Sequence, residues 1–523
     1  MAFTRYIVAF GGLILGRALA APVTNACSAT VIGTPQVDGT KVLDVTAETV
    51  TGYSLATYVD GSVKDGNVDD LAFCNVTITY EHPDKNDKIC VSVWLPTPDK
   101  WNGRFQGTGG GGWVMGLGPE VLAPAVDAGY AAANTDGGHN MDEFVTSWAR
   151  DSAGDLDMYA LEVFASIGLD DMAKFGKQVT ASYYGEPAKY SYWAGCSTGG
   201  RQGLMNAQRY PTNYDGILAM APAINWQKFI PSESWPQIVM NEVGYWPPTC
   251  EFAAINDFLM DACDELDGVK DGIIGNPYQC DYDVSTAVGE HFMCNGSDWT
   301  IDNRTVEIVK MVWDGPRDQA TGESLWYGLS MGASLNMLAT TVCSINNTDC
   351  AGSSFATSQA WIQYYLEENS DFDVNNMGYA GFASAFASSV SNYTDIIGTD
   401  NPDLSDFKAN GGKMISWHGL ADQLIFTNGT FDYYNKVSAQ DSGVDDFYRL
   451  FTSPGVEHCG DGIGAMPDDI LADLVNWVEN GIAPETLAGT FQEGSATRPL
   501  CQYPKMQVYL GGDADLASSF GCE

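Results

Sequence analysis

A glycine-flanked serine stands near the middle of the 523-residue chain, in the pattern Gly195-x-Ser197-x-Gly199. Residues 189–194 before it form an extended, aromatic-rich run, and residues 201–208 after it have the composition of a helix. Small residues around a serine let the backbone turn sharply between a strand and a helix, so that the hydroxyl is lifted clear of the sheet. Ser197 is therefore the candidate nucleophile.

A free serine hydroxyl is a weak nucleophile, so it needs a base within hydrogen-bond reach and an acid that orients the base. The chain has five histidines. Four are placed less well for this role, because two precede the serine, one lies in the irregular middle region, and one ends a predicted strand, where a structural hydrogen bond suits it: His82, His139, His291 and His418. His458 lies between glycine-rich turns after the last predicted strand, and it is the predicted base.

The predicted acid is Asp422, because it directly follows a buried strand that begins near residue 412. Three other aspartates lie ahead of the next predicted strand and not at the end of one: Asp441, Asp445 and Asp446. The resulting chain order, Ser197, Asp422 and His458, is the order found in α/β-hydrolases.

Two cysteines flank this predicted triad, since Cys196 precedes the nucleophile and Cys459 follows the base. If Ser197 and His458 meet, these cysteines can meet too. A bond between them would close a loop of 459 − 196 = 263 residues, which the chain-entropy model values at about 5 kcal/mol before strain. The alternative, Cys196 as a thiol nucleophile, is disfavoured because the elbow presents its central residue, Ser197.

A glycine cluster at residues 107–112 follows an early predicted strand. Glycines leave backbone N–H groups uncovered, so such a loop can bind the oxyanion that forms during acyl transfer. The predicted donors are the N–H of Thr198 and that of Gly110 or Gly111. No Lys-Ser or Lys-Thr follows the cluster, and its spacing differs from the dinucleotide fingerprint, so neither pattern of a nucleotide or other organic cofactor is met.

Strand-like and helix-like segments alternate from about residue 85 to 223 and resume near 412, which predicts an α/β sheet. The last strand is expected over 447–452 and a closing amphipathic helix over 468–479. The sequence between these two alternating parts, from about residue 225 to 398, is aromatic-rich, cysteine-rich and turn-rich. We therefore predict a catalytic domain over 21–224 and 399–523, with an inserted lid domain over 225–398.

Inside the predicted lid, residues 263–274 place acidic side chains a few positions apart among glycines. Calcium prefers several oxygen ligands from one tight loop. The candidate ligands are three carboxylates and two backbone carbonyls: Asp264, Asp267 and Asp271, with Val269 and Ile273. A solvated acidic turn is the alternative, since 67 of the residues are acidic.

The first 20 residues have the form of a secretory signal, with Arg5, an apolar run over 6–15 and the small-residue site 18–20. Thirteen cysteines fit an oxidising compartment, and the odd number leaves at least one unpaired. Six sequons mark candidate glycosylation sites: Asn75, Asn295, Asn303, Asn346, Asn392 and Asn428. The sequence thus predicts a secreted, extracellular protein.

The formal net charge is −42. So acidic a surface repels phosphate backbones and anionic lipids, which argues against nucleic-acid and membrane partners. An acidic coat also keeps an extracellular protein soluble.

Three motifs together resemble the fungal tannase and feruloyl esterase family of α/β-hydrolases. They are residues 195–200 (GCSTGG), residues 418–422 (HGLAD) and residues 457–460 (EHCG). In that family the cysteines beside serine and histidine are bridged, so the resemblance implies a Cys196–Cys459 bond and a calcium site in the lid. It also implies three more pairs: Cys27 with Cys74, Cys263 with Cys280, and Cys501 with Cys522.

The sequence departs from the family at Cys294, which has no close downstream cysteine where the family has one. The pairing of five cysteines therefore stays open: Cys90, Cys250, Cys294, Cys343 and Cys350.

The resemblance implies a serine esterase acting on phenolic-acid esters of plant cell-wall sugars. Feruloyl esters are the first expectation, and galloyl esters, the substrates of tannase, are the second. Two alternatives outside this class are a catalytically silent, hydrolase-like protein that binds plant polysaccharide and a secreted serine peptidase.

Overall fold

The computed structural model describes residues 26–56, 67–139, 145–344, 349–492 and 494–523. The predicted signal segment, residues 1–20, and the sequon at Asn346 lie outside the described residues.

The strands of the described residues, in chain order, are β1 (Lys41–Leu55), β2 (Val68–Glu81), β3 (Ile89–Pro96), β4 (Arg104–Thr108), β5 (Ala131–Thr135), β6 (Tyr190–Cys196), β7 (Gly216–Met220), β8 (His291–Cys294), β9 (Ser297–Thr300), β10 (Thr341–Cys343), β11 (Cys350–Gly352), β12 (Lys413–Gly419), β13 (Tyr448–Ser453), β14 (Ala465–Pro467), β15 (Thr486–Phe491), β16 (Thr497–Gln502), β17 (Gln507–Tyr509) and β18 (Phe520–Cys522).

The α-helices, in the same order, are α1 (Ala29–Ile32), α2 (Pro119–Asp127), α3 (Met158–Glu162), α4 (Gly168–Tyr184), α5 (Thr198–Arg209), α6 (Trp226–Ser232), α7 (Trp235–Val243), α8 (Thr249–Cys263), α9 (Asn303–Asp314), α10 (Ala356–Ala360), α11 (Tyr379–Ile397), α12 (Ser405–Ala409), α13 (Thr427–Gln440) and α14 (Ile470–Asn480).

One mixed sheet dominates, with the strand order β1-β2-β3-β5-β4-β6-β7-β12-β13-β16-β15-β14. Its centre, from β5 to β13, is parallel, and antiparallel strands extend it on both sides. The central strands are buried along nearly their whole length, as expected for parallel strands covered on both faces. The carboxyl ends of these strands therefore meet at one edge of the sheet.

Helices cover both faces of this sheet. On one face α2 and α14 pack against the strands, and Leu122 and Trp477 share a core with Tyr192, Leu218 and Trp417. On the other face α4 and α5 cover the central strands. The core on that second face continues without a break into the region between β7 and β12.

That region is an insertion, because β7 and β12 are adjacent parallel strands although about 190 residues separate them in the chain. Its first helix, α6, begins at Trp226 and its last helix, α12, ends at Ala409. The indole of Trp113, from the catalytic part, contacts the rings of Trp226, Trp361 and Tyr365 in the insertion. We call residues 225–398 the insertion below.

The prediction that the strand near 447–452 is the last one is wrong. Five short strands, β14–β18, follow it, and three of them extend the main sheet. These strands are antiparallel additions near the edge, where one face meets solvent. Edge strands of this kind lack the continuous apolar run that identified the central ones.

Six disulfides join the chain, and they include the four pairs that the family resemblance implied. The structure resolves the open cases by pairing Cys250 with Cys294 and Cys343 with Cys350. Cys90, on β3, is the free thiol that the odd count requires.

Three of the five described sequons are exposed, at Asn295, Asn303 and Asn392. Asn75 is partly buried within β2, and Asn428 is partly buried and accepts a hydrogen bond from the Tyr278 hydroxyl. Exposure therefore favours the first three as glycan sites.

Among the helices of the described residues, none is both long enough and apolar enough to cross a lipid bilayer.

Candidate active site

Ser197 stands at the sharp turn between β6 and α5. Its backbone has φ 61° and ψ −122°, a conformation that a side-chain-bearing residue adopts only under strain. A Cβ on Gly195 would lie 2.8 Å from the Gly199 Cα, so the turn requires glycine at 195, and a Cβ on Gly199 would lie 3.2 Å from the Gly109 Cα. The strained turn leaves the Ser197 side chain partly exposed at the sheet edge, as the sequence pattern predicts.

Asp422 follows β12 by three residues and is 1% exposed. Its Oδ1 accepts hydrogen bonds from the backbone N–H groups of Leu424 and Ile425, both at 2.8 Å. Its Oδ2 lies 2.8 Å from His458 Nδ1 and 2.9 Å from His418 Nε2. Burial by itself would raise the pKa of this carboxyl, but His458 and His418 hold the pKa well below its ordinary value. Asp422 is therefore ionised at neutral pH.

His458 lies in the loop after β13. Its Nδ1 is engaged by Asp422, and its backbone N–H donates to Gln423 Oε1 at 2.9 Å, so both the ring and the backbone are fixed. The other ring nitrogen, Nε2, lies 3.6 Å from the Cys459 sulfur and is the one available to exchange a proton. His458 and Ser197 line the same cavity.

The disulfide between Cys196 and Cys459 connects the two loops that carry nucleophile and base. Its Cα atoms are 5.9 Å apart, and Cys196 is buried. Because Cys196 adjoins Ser197 and Cys459 adjoins His458, the bond restrains Ser197 and His458 relative to each other.

The glycine cluster after β4 lies against the turn at Ser197. A Cβ on Gly109 would lie 2.5 Å from the Gly199 Cα, so the two loops approach to backbone contact. The buried amide of Gln202, on α5, accepts from the Gly110 N–H and donates to the Met115 carbonyl, each at 3.0 Å. Gln202 thereby fixes the glycine loop relative to the helix that begins after the serine.

The two glycine donors predicted for the oxyanion are already engaged. The Gly110 N–H donates to Gln202, and the Gly111 N–H donates to the Val114 carbonyl at 3.1 Å. Either group would have to exchange its partner to bind an oxyanion. Thr198 is the first residue of α5, where a backbone N–H has no partner within the helix, and its hydroxyl donates to the Gly112 carbonyl at 2.7 Å.

The cavity at Ser197 has a volume of about 420 Å³ and lies between the strand-end loops and the insertion. This volume is within the usual range for small-molecule sites. Its apolar lining includes aromatic and aliphatic side chains from both parts: Trp226, Phe229, Ile230, Met337, Phe355, Leu424 and Ile425. A flat apolar group fits such surroundings.

The loop predicted to bind calcium is ordered by its own carboxylates. Asp264 accepts from the Asp271 and Gly272 N–H groups at 3.1 Å, and Asp267 accepts from the Val269 N–H at 3.0 Å. Burial, together with the charges of Asp271 and Asp264, raises the pKa of the Asp267 carboxyl.

A hollow of about 10 Å³ beside this loop is lined by Asp267, Asp271 and Ile273, which is room for about one water-sized particle. Arg498 also lines it and pairs with Asp271 at 3.0 Å. In the described part of the chain, no three His, Cys, Asp or Glu side chains are grouped so that they could hold a metal ion. Calcium binding in this loop would therefore depend on backbone carbonyls as well as carboxylates, as the sequence prediction assumes with Val269 and Ile273.

Comparison with known proteins identifies the family of the chain. A family model described as tannase and feruloyl esterase matches residues 74–523. The chain belongs to the tannase and feruloyl esterase family. Members named feruloyl esterase or tannase are carboxylic ester hydrolases, and this chain is an enzyme of that class.

Relatives of both kinds resemble it over nearly the full length. A probable feruloyl esterase of Arthroderma benhamiae is 42% identical over 499 residues, covering 93% of this chain and 92% of the relative. The solved tannin acyl hydrolase of Aspergillus niger has a TM-score of 0.87 at 26% identity, covering 95% of each chain. Feruloyl esterase B of Aspergillus oryzae has a TM-score of 0.76 at 26% identity, covering 93% of this chain and 97% of that one. These likenesses confirm the predicted α/β-hydrolase fold.

The structure pairs Asp422 with His458 and places His458 and Ser197 on one cavity, and it adds four residues that sequence reasoning did not assign to the site. These are Gln202, His418, Gln423 and Glu233. His418 was expected to make a structural hydrogen bond, and its partner is Asp422 itself. Spacing gives no signal for the other three, because their roles depend on which loops lie side by side.

Proposed function

We propose that this family member is a secreted serine esterase that hydrolyses feruloyl and related hydroxycinnamoyl esters of plant cell-wall polysaccharides. The observation that carries the proposal is the buried Asp422–His458 pair on the cavity that contains Ser197, with the Cys196–Cys459 bond joining the two loops. The 42% identity to a probable feruloyl esterase favours hydroxycinnamoyl esters as substrates.

In the first half of the reaction, His458 Nε2 takes the proton of the Ser197 hydroxyl while its oxygen attacks the ester carbonyl. The Thr198 N–H and one N–H of the glycine loop, from Gly110 or Gly111 after exchange of its partner, bind the oxyanion. His458 then gives its proton to the leaving alcohol oxygen, which leaves an acyl group on Ser197.

In the second half, a water molecule loses a proton to His458 and attacks the acyl-enzyme. The tetrahedral intermediate collapses, the free acid leaves, and the proton returns to the Ser197 oxygen. Asp422 stays ionised throughout and stabilises the imidazolium form of His458.

The first test is a panel of methyl ferulate, methyl caffeate and methyl gallate, together with labelling by a fluorophosphonate probe. The wild-type protein is expected to hydrolyse the esters and to be labelled, whereas Ser197→Ala should do neither. Ser391→Ala, at an exposed serine on α11, is the matched control and should behave as wild type. An unlabelled, inactive wild-type protein would instead favour the polysaccharide-binding alternative, and release of amines from peptides would favour a peptidase.

Tannase is the second candidate, because the TM-score to the Aspergillus niger tannin acyl hydrolase, 0.87, exceeds that to feruloyl esterase B, 0.76. The ester panel separates the two. A clear preference for methyl gallate over methyl ferulate would reverse the order proposed above.

Secretion is proposed on the basis of the signal-like residues 1–20 and the six disulfides. Expression of the full chain in a fungal host should deliver the protein to the medium with its N-terminus near residue 21. N-terminal sequencing of the secreted form checks this, and an intact Met1 on active extracellular protein would contradict it.

We also propose a structural calcium ion in the loop 264–273, held by Asp264, Asp267 and Asp271 and by the Val269 and Ile273 carbonyls. The charges of Asp264 and Asp271 act on the Asp267 carboxyl, and the small hollow is lined by Asp267, Asp271 and Ile273, which supports this. Calcium should raise Tm relative to chelator, and Asp267→Asn should remove that difference. Glu265→Gln, at an exposed acid of the same loop outside the ligand set, should retain it. A wild-type Tm that is the same in calcium and in chelator would argue against the site.

A further inference from the structure

Glu233 is a buried carboxyl group at the cavity that the mechanism above does not use. It directly follows α6 in the insertion and is 2% exposed, and its backbone N–H donates to the Phe229 carbonyl at 2.9 Å. It lines the same cavity as Ser197 and His458.

The carboxyl oxygen Oε2 of Glu233 is buried and has no hydrogen-bond partner among the described residues. A buried polar atom without a partner is uncommon in a folded protein and calls for an explanation, such as a ligand that supplies the partner. Burial and the negative charge of Asp422 raise the pKa of Glu233 well above its ordinary value. Both effects favour the protonated carboxylic acid, which can donate one hydrogen bond and accept others.

The wall of the cavity around Glu233 is apolar. Its apolar side chains include Trp226, Phe229 and Ile230, all on α6, the helix that Glu233 directly follows. Two other buried polar side chains on the cavity already have partners. Thr198 donates to the Gly112 carbonyl, and Gln423 accepts from the His458 N–H. A sugar, with a hydroxyl on nearly every carbon, would need more partners than this wall offers, whereas an aromatic ring with one or two oxygen substituents matches it.

We propose that Glu233 is a specificity-determining residue that hydrogen-bonds an oxygen substituent on the aromatic ring of the substrate's acyl group. This inference rests on the proposed function, because it assumes a phenolic ester whose carbonyl is attacked by Ser197. The insertion would then select the acid, while the strand-end loops perform the chemistry.

The test compares methyl 4-hydroxycinnamate with methyl cinnamate, two esters that differ by one ring hydroxyl. The measured quantity is the ratio of their kcat/KM values. In Glu233→Leu this ratio should fall about tenfold or more, because the ring hydroxyl would enter the wall without a partner. An unchanged ratio in Glu233→Leu overturns the proposal.

Glu233→Gln is the matched control, since an amide of the same shape also donates and accepts. It should keep the ratio within about threefold of wild type, because a neutral donor and acceptor remain in place. A fall as large as in the leucine variant would overturn the proposed neutral hydrogen bond. Glu485→Leu, at a carboxylate outside the cavity whose side chain is 86% exposed, controls for loss of an acid in general and should leave the ratio unchanged.

If Glu233→Leu does not fold, Glu233→Met gives the same comparison with a more adaptable side chain. Failure of the inference is distinguishable from failure of the proposed function. Wild-type protein inactive on every ester contradicts the function, whereas active protein with an unchanged ratio contradicts only the role of Glu233.

Discussion

The cavity at Ser197 lies between the strand-end loops and the insertion, and each of these two parts of the chain carries a buried carboxyl group. Asp422, behind His458 at the end of the sheet, has hydrogen bonds from two backbone N–H groups and contacts with two histidines. Glu233, on the insertion, has an oxygen without any described partner. Their pKa values accordingly move in opposite directions, down for Asp422 and up for Glu233.

The opposite pKa shifts of Asp422 and Glu233 follow from the different groups that surround each carboxyl. Burial alone disfavours the charged form of any carboxyl, and only donors or cations reverse that effect. The strand-end wall supplies them, which favours the ionised carboxylate that the proposed mechanism uses to orient the base. Among the described residues the insertion wall supplies none to Glu233 Oε2, which favours the protonated acid used in the proposed recognition of the substrate ring. Opposite pKa shifts in neighbouring acids are a recognised sign of separate roles.

The largest expected effect separates the two acids by function. Asp422→Asn should lower kcat by about 10⁴-fold, because the amide no longer stabilises the required form of His458. Glu233→Gln should change kcat far less. Steady-state kinetics on methyl ferulate measure both variants. Comparable losses in kcat would contradict the proposed difference in role between Asp422 and Glu233.

The next comparison sets a disulfide of the strand-end wall against one of the insertion. Removing Cys196 and Cys459 together, as alanines, opens a loop of 263 residues, whereas removing Cys343 and Cys350 opens one of 7. The chain-entropy model predicts losses of about 5.5 and 2.5 kcal/mol in the free energy of unfolding. Denaturant melts measure the two losses.

Activity gives this comparison a second readout. Only the Cys196 and Cys459 pair should lower kcat in protein that is still folded, because only that bond adjoins the triad. Normal kcat in the folded Cys196→Ala/Cys459→Ala variant would show that the bond stabilises the chain without positioning the base.

A smaller effect is expected from His418, which is buried between Asp422 and the Thr430 hydroxyl. His418→Leu removes one hydrogen bond to an ionised carboxylate, worth about 1.5–3 kcal/mol. We expect kcat to fall about 10- to 100-fold with little change in KM. His418→Gln, which retains an N–H donor, should recover part of the loss. Equal losses in both variants would indicate that His418 only fills space.

The smallest effect concerns stability and its pH dependence. The pKa of Glu233 is raised on folding, so above about pH 4.3, the ordinary glutamate value, the unfolded chain loses a proton that the folded chain keeps. Stability therefore falls as pH rises above that value. Glu233→Gln removes this penalty, so it should raise Tm at neutral pH and change it little near pH 4.

Asp422 has the opposite effect on the pH dependence of stability. The pKa of Asp422 is lowered on folding, so its contribution to stability is present above about pH 3.9 and is lost as pH falls below that value.

Thermal melts of wild type and Glu233→Gln between about pH 4 and neutral pH test the raised pKa of Glu233. A Tm difference that is the same at every pH would show that Glu233 is not neutral in the folded chain.

Much of the catalytic wall could be predicted from local sequence. The turn at Ser197 needs glycines on both sides, and Asp422 and His458 each follow a buried strand, so all three leave a signal in residue type and spacing. The later strands left no such signal, because β15 and β16 have one face in solvent and β14, β17 and β18 are only three residues long. The donors of the glycine loop were assigned by pattern alone, and the structure shows that the Gly110 and Gly111 N–H groups already have partners.

By itself, then, the sequence determined the fold class, the family, the candidate nucleophile, acid and base, and the cysteines beside them. These features depend on backbone conformation and strand order, which short motifs encode directly. Only the tertiary structure decided that His418 contacts Asp422, that Gln202 fixes the glycine loop and that Glu233 lines the cavity with an Oε2 that has no hydrogen-bond partner among the described residues. Their roles arise from contacts between segments far apart in the chain, and the burial that shifts a pKa exists only once those segments have packed.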